Sequence, residues 1–510
     1  MKKLFLLFFL IASCGRPPAP PPDTLRISFS VYPATWDPRK SGDFVSSTMV
    51  CLLYEGLTRC LPDGGVEPGI AERVEVSTDQ KLYTFHLREA FWSDGAPVTA
   101  HDFERSWKQA CDPAFPSLCA YLFYPILNAE AARMGQKSSN EIGVRALDDQ
   151  TLQVALERPT PYFLSLTAFP SFLPAHPDEE NIGNGPYCIE RVVPQAEIDL
   201  RKSPMFWNRD QIHLERIQIS IVPDENTALQ MFERGELDWL GGALSPLPTD
   251  AFPSLEGKIQ YFPMAASTFC TFNTTSGPFQ NEHFRKAFSL AIDRIEIAEK
   301  ILPAHQTPAV RCIPPALLGG ENRSIISPFN PELAREELRK GLEEAELGPI
   351  TLCFRSGGID RTLAQAIQRQ WKEVLGIEVT LRQTDFKTHK ELLHQRHYQV
   401  ALASWISQHN DLINILERFK SAANAKNYPG WEDDRFRALI EAAENSPSNV
   451  ERTALLAQAE ERLLDSMPIA PIYHWSNPTL CSPRVKNMHT TPSGGVLFEK
   501  CWLSPIQINH

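Results

Sequence analysis

A chain of 510 residues is too long for one hydrophobic core, since single cores stop growing at about 250–300 residues, so at least two lobes are expected. The formal net charge of -12 argues against nucleic-acid binding and against broad adhesion to anionic lipid, because phosphates repel an acidic surface. With 43% hydrophobic residues the chain can fill its cores, which excludes extensive disorder.

Lys2 and Lys3 open the chain and an unbroken apolar run follows over residues 4–11. That run is too short to cross a bilayer core of about 30 Å, which takes about 20 residues, and it fits the apolar segment of a secretory leader. The ending IASC at 11–14 resembles a bacterial lipobox. By that resemblance residues 1–13 are a signal peptide, and Cys14 becomes the lipidated first residue that anchors the protein to a membrane. An ordinary leader with an incidental cysteine is the alternative. Residues 14–23 are proline-rich and read as a semi-rigid spacer of about 3 Å per residue.

Leu25, Ile27 and Phe29 alternate with polar residues, the period of a half-buried strand, and a helix is expected to end near Leu57. Residues 82–87 read as a strand turned at Ser93-Asp94-Gly95, after which Thr99 caps a helix carrying Phe103 and Trp107. Asn184-Gly185-Pro186 breaks the chain before a strand at 187–193. Ile198 and Leu200, then Ile217, Ile219 and Ile221, mark two more strands. Helices are expected over 227–235, from Asn281 through Ile295, over 362–375 and over 449–467, with a strand at 377–381. Interleaved helices and strands define an α/β chain. Of the eleven cysteines, Cys14 is the expected anchor and the even remainder permits disulfides. Cys111 and Cys119 form a plausible local pair.

The spacings of familiar catalytic motifs are missing: no G-x-S-x-G, H-E-x-x-H, G-x-x-x-x-G-K-[ST] or G-x-G-x-x-G occurs. His394 and His397 share a helix face at i, i+3, with His389 and His409 nearby, but no third metal ligand is evident, so a solvated face is expected. Glu343, Glu344 and Glu346 beside Arg339 and Lys340 read as an exposed charged helix, not an acid pair. Neither an enzyme nor a cofactor is expected.

Four segments together resemble the solute-binding proteins of peptide-type ABC importers, the family of oligopeptide-, dipeptide- and nickel-binding proteins. They are LYEGLTR at 53–59, preceded by Trp36-Asp37-Pro38, then LYTFHLREAFWSDGAPVTAHDFERSWK at 82–108, NGPYCIERVVPQAEIDLRKSPMFWN at 184–208 and FNTTSGPFQNEHFRKAFSLAIDR at 272–294. The resemblance implies a two-lobed periplasmic-binding-protein clamshell in three parts. Domain I would combine 24–61, 183–270 and 473–510, domain II would be the insert 62–182, and domain III would be 271–472. Within these segments Phe103 and Trp107 read as core, and Arg285 and Arg294 as members of structural ion pairs.

The resemblance also implies a site. Peptide-binding members pair the ligand backbone beside a tryptophan and hold its ammonium on an aspartate shortly after. The matching stretch here contains Ser404, Trp405 and Ile406, with Gln408 where the carboxylate would stand and Asp411 three residues on. A neutral amide replaces a charged acceptor at that position, so recognition of the ligand's terminus is expected to be atypical. Tyr121 in domain II and Tyr32 and Ala34 after the first strand are further candidates. The expected partners are a peptide or peptide-like ligand, ABC permease subunits with their ATPases and the membrane through lipid; no nucleic acid is expected, and the protein is expected to be a monomer. A nickel or metal-chelate carrier using His409 or His397, a sensing lipoprotein and a hydrolase are the competing readings.

Overall fold

The computed structural model describes residues 23–446 and 448–505. The leader, Cys14 and nearly all of the proline-rich spacer lie outside them. Within these residues the strands and helices interleave as α/β, and the largest sheet has eleven strands. Two of them, Gln260–Phe272 and Ile469–Cys481, are 13 residues long and pair antiparallel from Gln260↔Thr479 to Thr271↔Ile469. One side of this ribbon continues through Trp239–Gly241, Thr24–Phe29, Arg216–Ile221, Glu197–Lys202 and Tyr187–Val193. The other side continues through Val400–Ile406, Ile350–Arg355 and Val379–Thr384.

The sequence pattern explains the layers. Leu25, Ile27 and Phe29 are fully buried, and so is Ser28 between them, because this strand is covered on both faces and pairs parallel with Arg216–Ile221. Their core is shared with a separate four-stranded sheet (Ala71–Val76, Leu82–Leu87, Thr151–Ala155 and Val144–Asp148) through Phe85, Phe103, Trp107 and Leu152. On the opposite side of the ribbon, alternate residues serve two different cores. Leu352, Val400 and Leu402 face one, while Cys353, Ala401 and Ala403 face the other.

Several local expectations are corrected. The helix expected to reach Leu57 is Phe44–Leu53, after which Tyr54 is extended with φ -128°. The Leu53 carbonyl accepts the Gly185 amide at 2.9 Å, and a Cβ at Gly183 would come within 1.9 Å of that carbonyl oxygen. The Gly183-Asn184-Gly185 crossing therefore ends the helix by occupying the space its next turn needs. Thr99 does start the helix Ala100–Ala110: the Asp102 carboxylate accepts the Thr99 amide at 2.9 Å and its hydroxyl at 3.1 Å. Cys111 and Cys119 are not bridged; both are buried free thiols.

The helix expected from Asn281 through Ile295 stops at Leu290 and restarts at Arg294. Arg294 is the cause. Its guanidinium, fully buried, donates to Ser289 O at 3.0 Å and Ile292 O at 3.2 Å, carbonyls at and just beyond the helix end, and to Pro471 O at 2.6 Å on the ribbon. Arg285 likewise donates to Ser466 O at 2.7 Å and Phe279 O at 2.9 Å, with its nearest carboxylate, Glu282, at 3.8 Å. The ion pair expected of Arg285 is present with Glu282 and is joined by carbonyl caps, whereas for Arg294 the caps replace it. Arg294→Met should lower stability by about 3 kcal/mol, because it orphans several buried carbonyls at once. The check is the urea unfolding midpoint at unchanged slope.

Candidate functional site

Strand Val400–Ile406 pairs antiparallel with the ribbon along its whole length, with Ser267↔Trp405 and Ala266↔Ile406 at its end. On its other edge the parallel pairing with Ile350–Arg355 covers only Val400 and Ala401. The backbone at Ser404, Trp405 and Ile406 thus has a strand partner on one side only, and all three residues are half-buried. An edge of this kind can accept one more extended chain.

The loop after it is rigidly organised. Asn414, 2% exposed, offers one carbonyl oxygen to three donors: Trp405 Nε1 at 3.2 Å, Ser407 Oγ at 3.1 Å and the Gln408 amide at 3.2 Å. Two cations flank the indole. Arg418 lies 4.0 Å from the centre of the Trp405 ring, and Lys426 lies 4.9 Å from it and 4.1 Å from the centre of the Tyr121 ring. Burial, reinforced by Arg418, pulls the Lys426 ammonium down to about 8.

Both candidate acceptors for a ligand ammonium are committed within the protein. The Gln408 side chain donates to the Tyr121 hydroxyl, which joins the 120–123 turn to the loop after Trp405. Asp411 accepts two bonds from Arg452, at 2.7 and 2.8 Å, and caps Ile413 N at 2.9 Å. His409 stacks flat on Tyr162 at 4.3 Å, and Asn410 reaches the Asp63 carbonyl at 3.4 Å, so residues 408–410 all touch the segment carrying the four-stranded sheet. Tyr32 packs half-buried on the first core and the Ala34 amide donates to Ser46 Oγ at 3.2 Å. Neither lines the cavity described next.

That cavity, of about 360 Å³, lies where residues 42–60, 165–173, 406–410 and 491–499 meet. Of the candidates from sequence, Ile406 and Gln408 line it; Ser404, Trp405, Asp411 and Tyr121 stand outside its wall. Sequence reasoning missed Glu55, Arg59 and the thiols of Cys51 and Cys60, all of which line it. Glu55 is 5% exposed and 3.4 Å from Arg59, and burial raises its carboxyl to about 8. Burial likewise raises the Cys60 thiol to about 11, so it rests as a neutral thiol, while Cys51 is exposed to the chamber. Glu55 and Arg59 were in view inside the LYEGLTR segment, but nothing in their spacing marked them as facing a cavity. Among the described residues no three ligand-type side chains converge to hold a metal. His389, for one, is buried with Nε2 on the Leu402 carbonyl at 2.8 Å. No helix among them is long and apolar enough to cross a membrane.

An extended ledge of backbone beside a partly open chamber is suited to holding a solute. Residues 65–427 match the model of the bacterial extracellular solute-binding proteins, family 5 Middle, and the chain belongs to that family. It is a binding protein and not an enzyme. It is 34% identical to the oligopeptide-binding protein OppA of Bacillus subtilis over 94% of this chain and 92% of that protein. It is 33% identical to the dipeptide-binding protein DppE of the same organism, over 91% and 88% respectively. Among solved structures, the unliganded open form of the periplasmic murein tripeptide-binding protein MppA superposes with a TM-score of 0.82 at 26% identity, over 94% of this chain and 97% of that one. Haemophilus influenzae OppA in complex with RPPGFSPFR gives 0.76 at 27%, over 94% and 99%.

Two outcomes test the geometry. Asp411→Ala leaves the Arg452 guanidinium buried without its partner and should cost about 3–5 kcal/mol, read from urea unfolding. Burial lowers the His409 pKa from 6.5 to about 4, so the unfolded chain binds a proton that the folded chain refuses. The stability this neutral ring supports is therefore present above pH 6.5 and is lost as pH falls toward 4. His409→Phe should flatten that part of the profile of urea midpoint against pH.

Proposed function

We propose that this protein captures oligopeptides or peptide-like solutes outside the cytoplasm and delivers them, unaltered, to an ABC importer. The observation that carries the reading is the unpaired edge of Ser404, Trp405 and Ile406, set beside the chamber where two bodies of the molecule meet. Main-chain hydrogen bonds along such an edge hold a peptide without regard to its side chains, and the chamber next to Ile406 and Gln408 takes one end or one side chain.

The proposed division of labour follows the sequence: 24–61, 183–270 and 473–510 as one lobe, 62–182 inserted in it, and 271–472 as the second. The ribbon of Gln260–Phe272 and Ile469–Cys481 is the hinge between the lobes, and Gln408–Tyr121 and His409–Tyr162 are contacts that shut them. Recognition of the ligand's terminus is atypical in this proposal, because Gln408 and Asp411 are both occupied by the protein. We further propose lipidation at Cys14 as the means of membrane attachment and a monomer as the working unit, with permease and ATPase subunits as partners. Support for attachment is the leader, the lipobox-like IASC and the spacer after it.

Titration calorimetry against peptides of two to five residues should give one site per chain. Methylating the ligand's central backbone nitrogen should weaken binding at least about tenfold, since one ledge acceptor then loses its donor and stays desolvated. Absence of heat with every peptide in the series would refute the proposal.

A further inference from the structure

The charged residues that line the chamber are unbalanced. Three carboxylates, Asp43, Glu55 and Glu499, face it against one guanidinium, Arg59. Three cations stand near this wall, of which Arg88 attracts Glu55 at longer range while stacked 3.6 Å from the centre of the Trp207 ring. Arg59 stands 3.4 Å from Glu55 and 3.0 Å from Glu67, and Lys500 is bound to the same Glu67 at 3.1 Å. Glu499 is left with longer-range attraction to Lys500 and Arg59, and no cation among the described residues lies within ion-pair distance of it. Glu55 is buried with Oε1 in no hydrogen bond, although Arg59 is near, so a second carboxylate is incompletely satisfied at the same wall.

A buried carboxylate without a full counter-charge is costly, and either a proton or a cation relieves it. We propose that the chamber is a cation subsite: it selects peptides that present an ammonium or guanidinium group, which Glu499 and Glu55 receive. This rests on the peptide reading above and names the chemistry that the reading leaves open. The group can be the free α-ammonium or a basic side chain; both present the same charge to the same carboxylates. The position usual for an ammonium acceptor is closed, Gln408 being bonded to Tyr121 and Asp411 to Arg452. The chamber wall begins at Ile406 and Gln408, so a ligand lying on the ledge reaches it directly.

The groups around these two acids agree with this assignment. Glu55 faces Arg59, Arg88, Glu67, Glu499, Cys51 and the Trp207 indole, and Glu499 faces Lys500, Arg59, Glu67, the Tyr187 phenol and the Cys51, Cys60 and Cys501 thiols. Burial raises both carboxyls, Glu55 to about 8. The empty subsite therefore holds a proton near neutral pH, and an arriving cation displaces it. Binding of a lysine or arginine side chain releases protons and tightens as pH rises toward 8, whereas an α-ammonium, which itself deprotonates at about 7.7–8.0, loses affinity again there.

The test is titration calorimetry of the full protein with three tripeptides that share a free carboxylate: N-acetyl-Ala-Ala-Ala, Ala-Ala-Ala, and N-acetyl-Ala-Lys-Ala. At least one of the two peptides that carry an ammonium should bind about tenfold or more tighter than the acetylated alanine peptide, which carries none, with proton release seen by comparing two buffers of different ionisation enthalpy. Gain with Ala-Ala-Ala assigns the α-ammonium to the chamber, and gain with the lysine peptide assigns the side chain. Glu499→Gln, and independently Glu55→Gln, should collapse the difference between the ammonium-bearing peptides and the acetylated alanine peptide, with thermal melts showing that each variant is folded. Equal affinities for all three peptides, or an advantage untouched by both substitutions, would overturn the subsite while leaving peptide capture intact. Failure of every peptide to bind would overturn both.

Discussion

The strands Gln260–Phe272 and Ile469–Cys481 are the one element common to both sides of the large sheet, and the site depends on where their pairing falters. Register shifts lie between Pro263 and Ser267 and between Thr268 and Phe269. Trp405 is paired with Ser267, within that irregular stretch, and the neighbouring strand's pairing ends one step later at Ala266↔Ile406. A bulge bends its strand and raises the local twist. The irregular stretch of the ribbon thus lies beside the point where the chain leaves the sheet after Ile406 and enters the loop that walls the chamber. Arg294 secures the other end by tying a helix terminus to Pro471 on the ribbon.

Charge is distributed unequally about the ledge. Arg418 and Lys426 sit against Trp405 and Tyr121, while Asp43, Glu55 and Glu499 face the chamber beyond Gln408. Backbone pairing alone does not choose between the two directions in which an extended peptide can lie. For the proposed ligand, a field running from cationic to anionic along the ledge would choose, because a peptide has a positive and a negative end.

The repeating elements of this fold were legible in the sequence because they obey periodicity. Leu25, Ile27 and Phe29 announced a strand, and Gly376, at φ 71°, announced the end of the helix Gly358–Leu375. The errors came where the end of a helix was set by a crossing segment or by a side chain folding back on it. Nothing local to Leu53 says that Gly183 and Gly185 will cross it, and nothing local to Leu290 says that an arginine four residues later will cap its carbonyls. At the site, the stretch around Trp405 was found through its resemblance, and Ile406 and Gln408 do line the chamber. Glu55 and Glu499 lie 444 positions apart in the chain, and only the fold brings them to one wall. The same Asn184 that breaks the chain holds Glu55 in place: its side chain bonds the Glu55 amide at 3.0 Å and carbonyl at 3.1 Å.

The sulfur atoms carry a consequence of their own. Ten cysteines in the described residues are all unbridged; seven are buried, and Cys51 opens onto the chamber. In an extracytoplasmic setting thiols are prone to pair, and a newly translocated, still extended chain displays all of them at once. Native packing keeps most of them from oxidants and from one another, but that shelter exists only after collapse. On the proposed export route, redox fidelity would therefore depend on the cores closing before the first wrong bridge forms.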